Sequence, residues 1–223
     1  MAKRVLVVAA HPDDEVLGCG GTIARHVAEG DTVQTLFLAD GVSSRPGSQS
    51  TAVRHRLDAC EQARKILGIT SSTFFGLPDN RLDSLPLIEI IKPLEALVGE
   101  YAPQIIYTHH AGDLNVDHRI AHQAILTACR PAPGISVREI YTFEVMSSTE
   151  WSSPGIMPFI PNHFVDISAY VETKHQALGA YATEMRATPH SRSVENLMAL
   201  ARHRGSAVGL DAAEGFVVVR SVL

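Results

Sequence analysis

Residues 4–18, RVLVVAAHPDDEVLG, join a continuous apolar run to four ionisable side chains within five positions. The run at 4–10 is β-branched at its centre and is typical of a strand buried on both faces in a parallel sheet. The segment GCGGTIARHVAEG at 18–30 then predicts a helix, and TVQTLFLA at 32–39 predicts a second strand. A strand, a helix and a second strand in this order indicate a parallel sheet with a right-handed crossover.

The same alternation continues along the chain. Further strands are predicted at 72–77, 104–109, 139–145 and 215–222, the last of them antiparallel at an edge of the sheet. Further helices are predicted at 52–67, 85–101, 118–129, 168–183 and 194–204. Loops rich in Gly, Ser and Pro are predicted at 40–50 and 147–163, and the second has the length of a lid or a binding loop. We therefore expect one α/β domain over residues 1–223, with a mostly parallel, Rossmann-like sheet flanked by helices.

Composition narrows the possible functions. The chain has 223 residues, a formal net charge of −5, and 45% apolar and 19% charged residues. A mildly negative chain gives no electrostatic reason to bind nucleic acid. The sequence has no signal-peptide pattern, no apolar run of the roughly 18 residues that span a membrane, and no CxxC spacing among its three cysteines. We expect a cytoplasmic protein, and its short C-terminal strand and Ser/Pro-rich loop leave room for a homo-oligomer.

Three polar segments follow predicted strands of the sheet. They are HPDDE at 11–15, ADGVSSR at 39–45 and HHAGDLNVDH at 109–118. In a doubly wound sheet, ligands bind beyond the carboxyl ends of the strands. These segments are therefore predicted to meet at one edge of the sheet, although they are far apart in the sequence.

The residue types in two of these segments match those of a metal site. His11 and Asp14 lie three positions apart, and His118 ends the later segment. Two imidazoles and a carboxylate with an open fourth position are the form expected of a hydrolytic zinc site. Another divalent metal would also suit these ligands.

Asp13 lies between the two predicted ligands of the first segment. Its carboxylate would point toward the water that a metal activates and take its proton as a general base. Glu15 would then hold His11, because ligating histidines usually donate their second N–H to an acceptor. A structural alternative stays open at this point, because an aspartate after a strand often caps the next helix or fixes a turn.

Several segments resemble one protein family. VVAAHPDDEVLGCGGTIARHVAEG at 7–30 is similar to the signature of the LmbE/PIG-L family of zinc-dependent N-deacetylases, and GDLNVDHRIAHQA at 112–124 is similar to its second motif. The turn LPDNRLD at 77–83 and the tail from 190 to 216 are also similar. The resemblance implies an LmbE-like fold. It also implies hydrolysis of an N-acetyl group from a small-molecule amino sugar, sugar conjugate or nucleotide sugar.

The resemblance also implies roles for individual residues. His11, Asp14 and His118 match the zinc ligands, and Asp13 matches the general base. Asp117 matches an acidic residue that orients the site. Arg56 matches an arginine of the second helix that binds substrate, and Arg54, two positions earlier, is the alternative for this role.

Asn115 departs from the family pattern. Many members have HPDH where this chain has NVDH, so Asn115 occupies the position of the first histidine. An amide can donate a hydrogen bond to an oxyanion, but it cannot supply a proton at pH 7. The proton for the leaving amine would then come from Asp13, which could return the one it took, or from another histidine. The candidates are His109, His110 and His190, of which His110 and His190 are also expected to bind substrate, and structural roles remain open for all three.

Other features support more than one interpretation. GCGG at 18–21 lacks the GxGxxG spacing and is expected to serve close packing of helix against strand. Arg45, with Arg54 and Arg56, would bind a diphosphate or carboxylate, or lie on a solvated helix face. Trp151 would stack on a sugar ring or be buried. Two rival functions are a same-fold metallohydrolase of another amide or a thioester-like conjugate, and a non-catalytic nucleotide-sugar or metal-binding protein.

Overall fold

The computed structural model describes residues 2–222 except Pro46, Ser48, Gln49, Pro154 and Ile156. These five residues belong to the predicted loops 40–50 and 147–163. Those parts of the two predictions therefore lie outside the described residues, as do the two ends of the predicted domain 1–223.

Strands and helices alternate as the sequence predicts. The strands are β1 (Arg4–Ala9), β2 (Thr32–Ala39), β3 (Ser71–Leu77), β4 (Ile105–His109), β5 (Glu139–Phe143), β6 (His163–Asp166) and β7 (Ala213–Ser221). The α-helices are α1 (Asp14–Ala28), α2 (Ser50–Leu67), α3 (Leu87–Tyr101), α4 (Val116–Ala128), α5 (Val171–Ala180) and α6 (Val194–Ser206). Short 3-10 turns are found at Leu82–Ser84, Thr149–Trp151 and Ser168–Tyr170.

The described strands form one sheet in the order β3-β2-β1-β4-β5-β7-β6. The first five strands along the chain are parallel to one another, whereas β7 is antiparallel to both β5 and β6. The predicted α/β class with a mostly parallel sheet flanked by helices is confirmed. Since β1 lies between β2 and β4, the segments that follow these three strands meet at one edge.

The C-terminal strand departs from its predicted position. β7 is antiparallel as expected, but it is not at the edge, because β6 pairs with its outer side. The sequence did not predict β6. All four of its residues are half-buried, so its side chains lack the alternation that marks most two-faced strands.

The two helices that follow the predicted metal-site segments begin earlier than predicted. α1 begins at Asp14 rather than at 18, and α4 begins at Val116 rather than at 118. Asp14 and Glu15 therefore belong to the first turn of α1, and Asp117 and His118 to the first turn of α4, which holds them more rigidly than a loop would.

The core lies on both faces of the sheet. Along β1, Val5 and Val7 pack on the side of α1 and α5, while Leu6 and Val8 pack on the side of α3 and α4. All four side chains are fully buried, and each contributes about 1.5–3 kcal/mol through the hydrophobic effect. Within the described part of the chain, no helix combines the length and the apolar character that a membrane span requires.

The glycines at 18–21 allow α1 to approach the sheet. A side chain on Gly18 would overlap the ring of Phe143 in β5, and one on Gly21 would overlap Ile167. The expectation that this segment serves close packing is confirmed.

Candidate active site

A cavity of about 320 Å³ opens at the carboxyl ends of β1, β2 and β4. Residues from all three predicted polar segments line it, and other parts of the chain complete its wall. From the polar segments come His11, Asp13, Asp14, Gly41, Arg45, Leu114, Asn115 and His118. The others are Arg56, Asp79, Asn80, Ser147, Ser148, Trp151, Glu184 and Arg192. The sheet topology thus brings together segments that the sequence separates.

His11, Asp14 and His118 meet at the base of this cavity. Each offers one ligand atom, and the three atoms lie within 4.8 Å of one another. Oδ2 of Asp14 is 3.5 Å from Nδ1 of His11 and 3.4 Å from Nε2 of His118. All three residues are buried. One carboxylate oxygen between two imidazole nitrogens is an arrangement that a divalent metal fits.

The second nitrogen of each imidazole faces a carboxylate. Nε2 of His11 is 3.0 Å from Oδ2 of Asp117 and 3.2 Å from Oδ1 of Asp79. Nδ1 of His118 is 3.1 Å from Oδ1 of Asp113. Metal-ligating histidines usually have such a partner, which fixes the tautomer and leaves the other nitrogen free to bind. The donor set and its surroundings therefore fit a metal ion.

Asp79 and Asp117 also cluster with His11, but they are bound to the backbone. Asp117 accepts hydrogen bonds from the amides of Asn80 at 2.8 Å and Leu82 at 3.1 Å. Asp79 accepts one from the amide of Ser44 at 3.0 Å. Burial alone would raise the pKa of Asp79, but its hydrogen bonds with His11 and Ser44 outweigh this effect and lower that pKa to about 2. Asp79 therefore stays charged, and both carboxylates lie within 3.2 Å of Nε2 of His11 and orient its ring.

Glu15 does not have the expected role. Its carboxylate accepts hydrogen bonds from the hydroxyl of Tyr181 at 2.7 Å and from the amide of Asp13 at 2.9 Å, and His11 is held by other residues. Because α1 begins at Asp14, the side chain of Glu15 points away from His11 into the interior.

Asp13 lies beside the three ligands, with its carboxylate between two arginines. Its Oδ2 is 3.1 Å from Nη1 of Arg56 and 3.2 Å from Nη1 of Arg192. Burial raises the pKa of Asp13, and the two guanidinium groups only partly offset this shift. Its φ of 130° is strained for a residue with a side chain, at a cost of about 1–3 kcal/mol. Such strain is typical of functional sites.

Arg56, and not Arg54, belongs to the cavity wall. The guanidinium of Arg56 is buried, lies 2.7 Å from Oε1 of Glu184, and also donates to the carbonyl of Pro12. Arg54 lies on the exposed face of α2. Residues two positions apart in a helix lie on different faces, so only one of these two arginines reaches the site.

Asn115 caps α4 at the rim of the cavity. Its Oδ1 accepts a hydrogen bond from the amide of Asp117 at 2.8 Å, and its Nδ2 donates to Oδ1 of Asn80 at 3.3 Å. The amide oxygen is therefore used for the helix, while the NH₂ group makes only a long hydrogen bond.

The histidines proposed as alternative acids lie behind the wall rather than in it. His109 is fully buried, its Nε2 accepts from the amide of Ala10 at 2.8 Å, and its ring stacks on His118 at 3.9 Å. Burial lowers the pKa of His109 well below its ordinary value, and the neighbouring His118 adds to this shift. His109 is a structural support for His118.

His110 and His190 were expected to bind substrate, and the structure places neither ring among the residues that line the cavity. Nδ1 of His110 accepts from the amide of Gly112 at 3.1 Å, so this ring closes its own turn. Nδ1 of His190 accepts from the amide of Arg192 at 3.0 Å, and its ring packs against Trp151. Both are bound to local backbone, and His190 also supports Trp151 and Arg192, which do face the cavity.

Four residues of the site were missed by the sequence analysis as functional: Asp79, Asp113, Glu184 and Arg192. Asp79 and Arg192 lie in segments that carry the family resemblance, and Asp113 lies within the second motif. Treating every charged residue of those segments as a candidate site residue would have identified these three. Glu184 follows α5 and has no sequence signal.

Comparisons with known proteins agree with this geometry. The family described as PIG-L, GlcNAc-PI de-N-acetylase, matches residues 6–129. A 1D-myo-inositol 2-acetamido-2-deoxy-alpha-D-glucopyranoside deacetylase from Mycobacteroides abscessus is 28% identical, over 89% of this chain and 88% of its own. The conserved protein TT1542 from Thermus thermophilus is 32% identical, with a TM-score of 0.78 over 100% of this chain and 97% of its own.

One structural neighbour has a different activity. GalB, the 4-carboxy-2-hydroxymuconate hydratase from Pseudomonas putida KT2440, has a TM-score of 0.80 over 99% of this chain and 98% of its own. At 23% identity this likeness shows the fold alone. The fold therefore does not define the reaction, which must be argued from the residues of the site.

Proposed function

This chain belongs to the PIG-L family of GlcNAc-PI de-N-acetylases, and from that premise we propose that it is a zinc-dependent deacetylase of an N-acetylated amino sugar or sugar conjugate. The observation that carries the proposal is the meeting of His11, Asp14 and His118 with Asp13 beside them in one cavity. A protein that only binds a sugar or a metal has no need of a further carboxylate at such a site.

His11, Asp14 and His118 would hold the zinc ion. The carboxylates of Asp117 and Asp113 orient the two imidazoles and support their basicity. A bound zinc ion supplies Lewis acidity, which lowers the pKa of water and polarises a carbonyl group. Two nitrogens and one oxygen suit zinc, although iron or another divalent metal is compatible with the same ligands.

Asp13 is the general base of the proposed reaction. It removes a proton from the water whose oxygen bonds to the acetamide carbon, and it holds this proton until the nitrogen takes it up as the C–N bond breaks. This transfer to the leaving nitrogen yields acetate and a free amine. Both arginines contact Oδ2 of Asp13, so Oδ1 is left for proton transfer.

Asn115 would stabilise the negative charge that develops on the acetyl oxygen. Its NH₂ group lies at the rim of the cavity and has only the 3.3 Å contact with Asn80 to give up. Because an amide cannot act as the acid, the return of the proton by Asp13 is the simplest path for the leaving group.

The charges of the cavity wall favour an uncharged sugar conjugate over a nucleotide sugar. Arg45 and Arg56 are paired with Glu184, at 2.7 Å each, and Arg192 is paired with Asp13. A diphosphate would have to displace these carboxylates, because the cationic side chains that line the described cavity are all engaged by acidic ones.

Trp151 offers a surface for the sugar itself. It lines the cavity, 53% of its surface is exposed, and the edge-on ring of His190 supports it at 5.5 Å between centroids. An exposed, supported indole is well suited to stack on the apolar face of a pyranose ring.

Acetate release provides the test. Protein stripped by a chelator and reloaded with zinc is incubated with N-acetylglucosamine conjugates that carry neutral groups, with nucleotide sugars and with thioester conjugates. We expect zinc-restored acetate release, fastest for the neutral sugar conjugates. Protein with stoichiometric zinc that releases no acetate from any N-acetyl sugar would contradict the proposal. Release from the thioesters alone would support the same-fold rival, and tight nucleotide-sugar binding without release would support the non-catalytic one.

A further inference from the structure

Helix α1 is interrupted directly behind the candidate metal site. Cys19 has φ −148° and ψ 26°, which are not helical, so α1 consists of a short first segment and a longer second one. A break of this kind removes backbone hydrogen bonds and leaves carbonyl groups on one side and amides on the other without helical partners. The first segment is the one that carries Asp14.

A buried ion pair satisfies the backbone groups on both sides of the break. Glu214 in β7 accepts hydrogen bonds from the amides of Gly21 at 3.0 Å and Thr22 at 2.7 Å. Lys174 in α5 donates to the carbonyl of Leu17 at 3.0 Å and to Glu214 at 2.5 Å. Both side chains are about 95% buried.

The signs of the two charges suit the two helix ends. The carboxylate lies at the amino end of the second segment and the ammonium group at the carboxyl end of the first, where each complements the local helix dipole. Leu17 connects the pair to the site, because its amide donates to the carbonyl of Asp13 at 2.9 Å while its own carbonyl accepts from Lys174.

We propose that Lys174 and Glu214 are positioning residues that fix the break in α1 and thereby hold Asp13 and Asp14 in the cavity. This inference rests on the proposed metal site. A buried ion pair is rarely needed for stability, since apolar residues of similar volume often serve as well. Its hydrogen bonds to both segments of α1 give this pair a role that apolar residues cannot fill.

The test compares two double variants. K174M/E214Q removes both charges with little change in volume, so it avoids leaving one buried charge unpaired. R204M/E144Q removes a neighbouring ion pair, with contacts of 2.8 Å, that joins α6 to the end of β5 and does not bind α1. Zinc affinity is measured by competition with a chromophoric chelator, unfolding by urea, and kcat and KM by acetate release.

We expect K174M/E214Q to bind zinc 10- to 100-fold more weakly, the range found when groups that orient metal ligands are removed. Its kcat should fall more than its KM rises, because the cavity wall is intact while Asp13 is displaced. R204M/E144Q should keep the wild-type zinc affinity at a comparable loss of stability. Wild-type zinc affinity in folded K174M/E214Q would overturn the inference.

A second variant covers the case in which the double variant does not fold. In E214Q the side chain keeps its size and Lys174 keeps its hydrogen bond to the carbonyl of Leu17, so this variant should fold and still bind zinc at least tenfold more weakly. Unchanged affinity there would also overturn the inference. Zinc affinity is measured without substrate. Wild-type protein that binds zinc but releases no acetate would therefore refute the proposed function, while the comparison of zinc affinities would still test the role of Lys174 and Glu214.

Discussion

The carboxylate of Asp113 lies 3.1 Å from Nδ1 of His118, on the side of the imidazole that faces away from Asp14. Asp113 also accepts hydrogen bonds from the hydroxyls of Ser148 and Thr149, the latter at 2.6 Å. Burial alone would raise the pKa of Asp113, but the charge of His118 and these hydrogen bonds hold that pKa well below its usual range. Asp113 therefore stays charged, fixes the His118 ring and ties it to the loop after β5.

Replacing Asp113 should weaken metal binding. In D113N the acceptor for Nδ1 of His118 loses its charge, so the ring is less basic and less firmly oriented. We expect zinc affinity to fall 10- to 100-fold by chelator competition. D83N, which changes an exposed aspartate in the turn after Asp79, is the matched control and should bind zinc normally. Equal zinc affinities in D113N and D83N would show that Asp113 does not support metal binding.

Variants at Asp13 and His118 should differ in what they lose, because Asp13 is proposed to act in the reaction and His118 to bind the metal. D13N keeps the size of the side chain but cannot accept a proton, so acetate release should fall by about 10²- to 10⁴-fold. Its zinc content should remain stoichiometric by metal analysis. H118A should lose zinc and activity together, because it removes a ligand. If D13N keeps most of its activity, Asp13 is not the general base.

The sequence predicted those parts of the fold and site that local pattern controls. Buried parallel strands have to be apolar on both faces, so the run that ends before His11 was recognisable as β1. The convergence of His11, Asp14 and His118 followed from topology, since parallel strands place their carboxyl ends at one edge. The family resemblance then supplied the roles that spacing alone left open.

What escaped prediction depends on contacts between distant segments. Glu184 belongs to the site only because the chain after α5 returns beside Arg56. His110 and His190 have the right residue type, but local backbone amides bind their rings, and this depends on turn geometry. The edge strand β6 is short and half-buried throughout, so its pairing with β7 is decided by the fold and not by its own pattern.

Arg56 and Arg54 should differ sharply when each is replaced by alanine. R56A leaves the carboxylates of Asp13 and Glu184 buried without their shared partner, and breaking such buried pairs costs about 3–5 kcal/mol. We expect that loss in urea unfolding, together with at least a 100-fold fall in kcat/KM. R54A changes an exposed residue of the same helix and should stay within about 0.5 kcal/mol of wild type. If activity fell in R54A and not in R56A, Arg54 rather than Arg56 would contact the substrate.

Glu184 should make stability depend on pH in the acid range. Burial alone would raise the pKa of Glu184, but Arg45 and Arg56 outweigh it and lower that pKa below its ordinary value. The folded state therefore binds this proton less readily than the unfolded chain, in which glutamate titrates near pH ~4.3. The stabilisation is complete above that pH and is lost as the pH falls through the folded pKa. Urea unfolding of wild type and E184Q should differ by about 1–3 kcal/mol at pH 7, and this difference should shrink steadily below pH ~4.

The exposed Glu100 at the end of α3 provides the control for that measurement. E100Q removes one exposed carboxylate, so its free energy of unfolding should stay within about 0.5 kcal/mol of wild type in the same measurements. A gap between wild type and E184Q that does not change from pH 7 to pH 3 would mean that the carboxylate of Glu184 gains nothing from its arginines. The pairing of Arg45 and Arg56 would then be too weak to keep them from an anionic substrate, and nucleotide sugars would return as candidates.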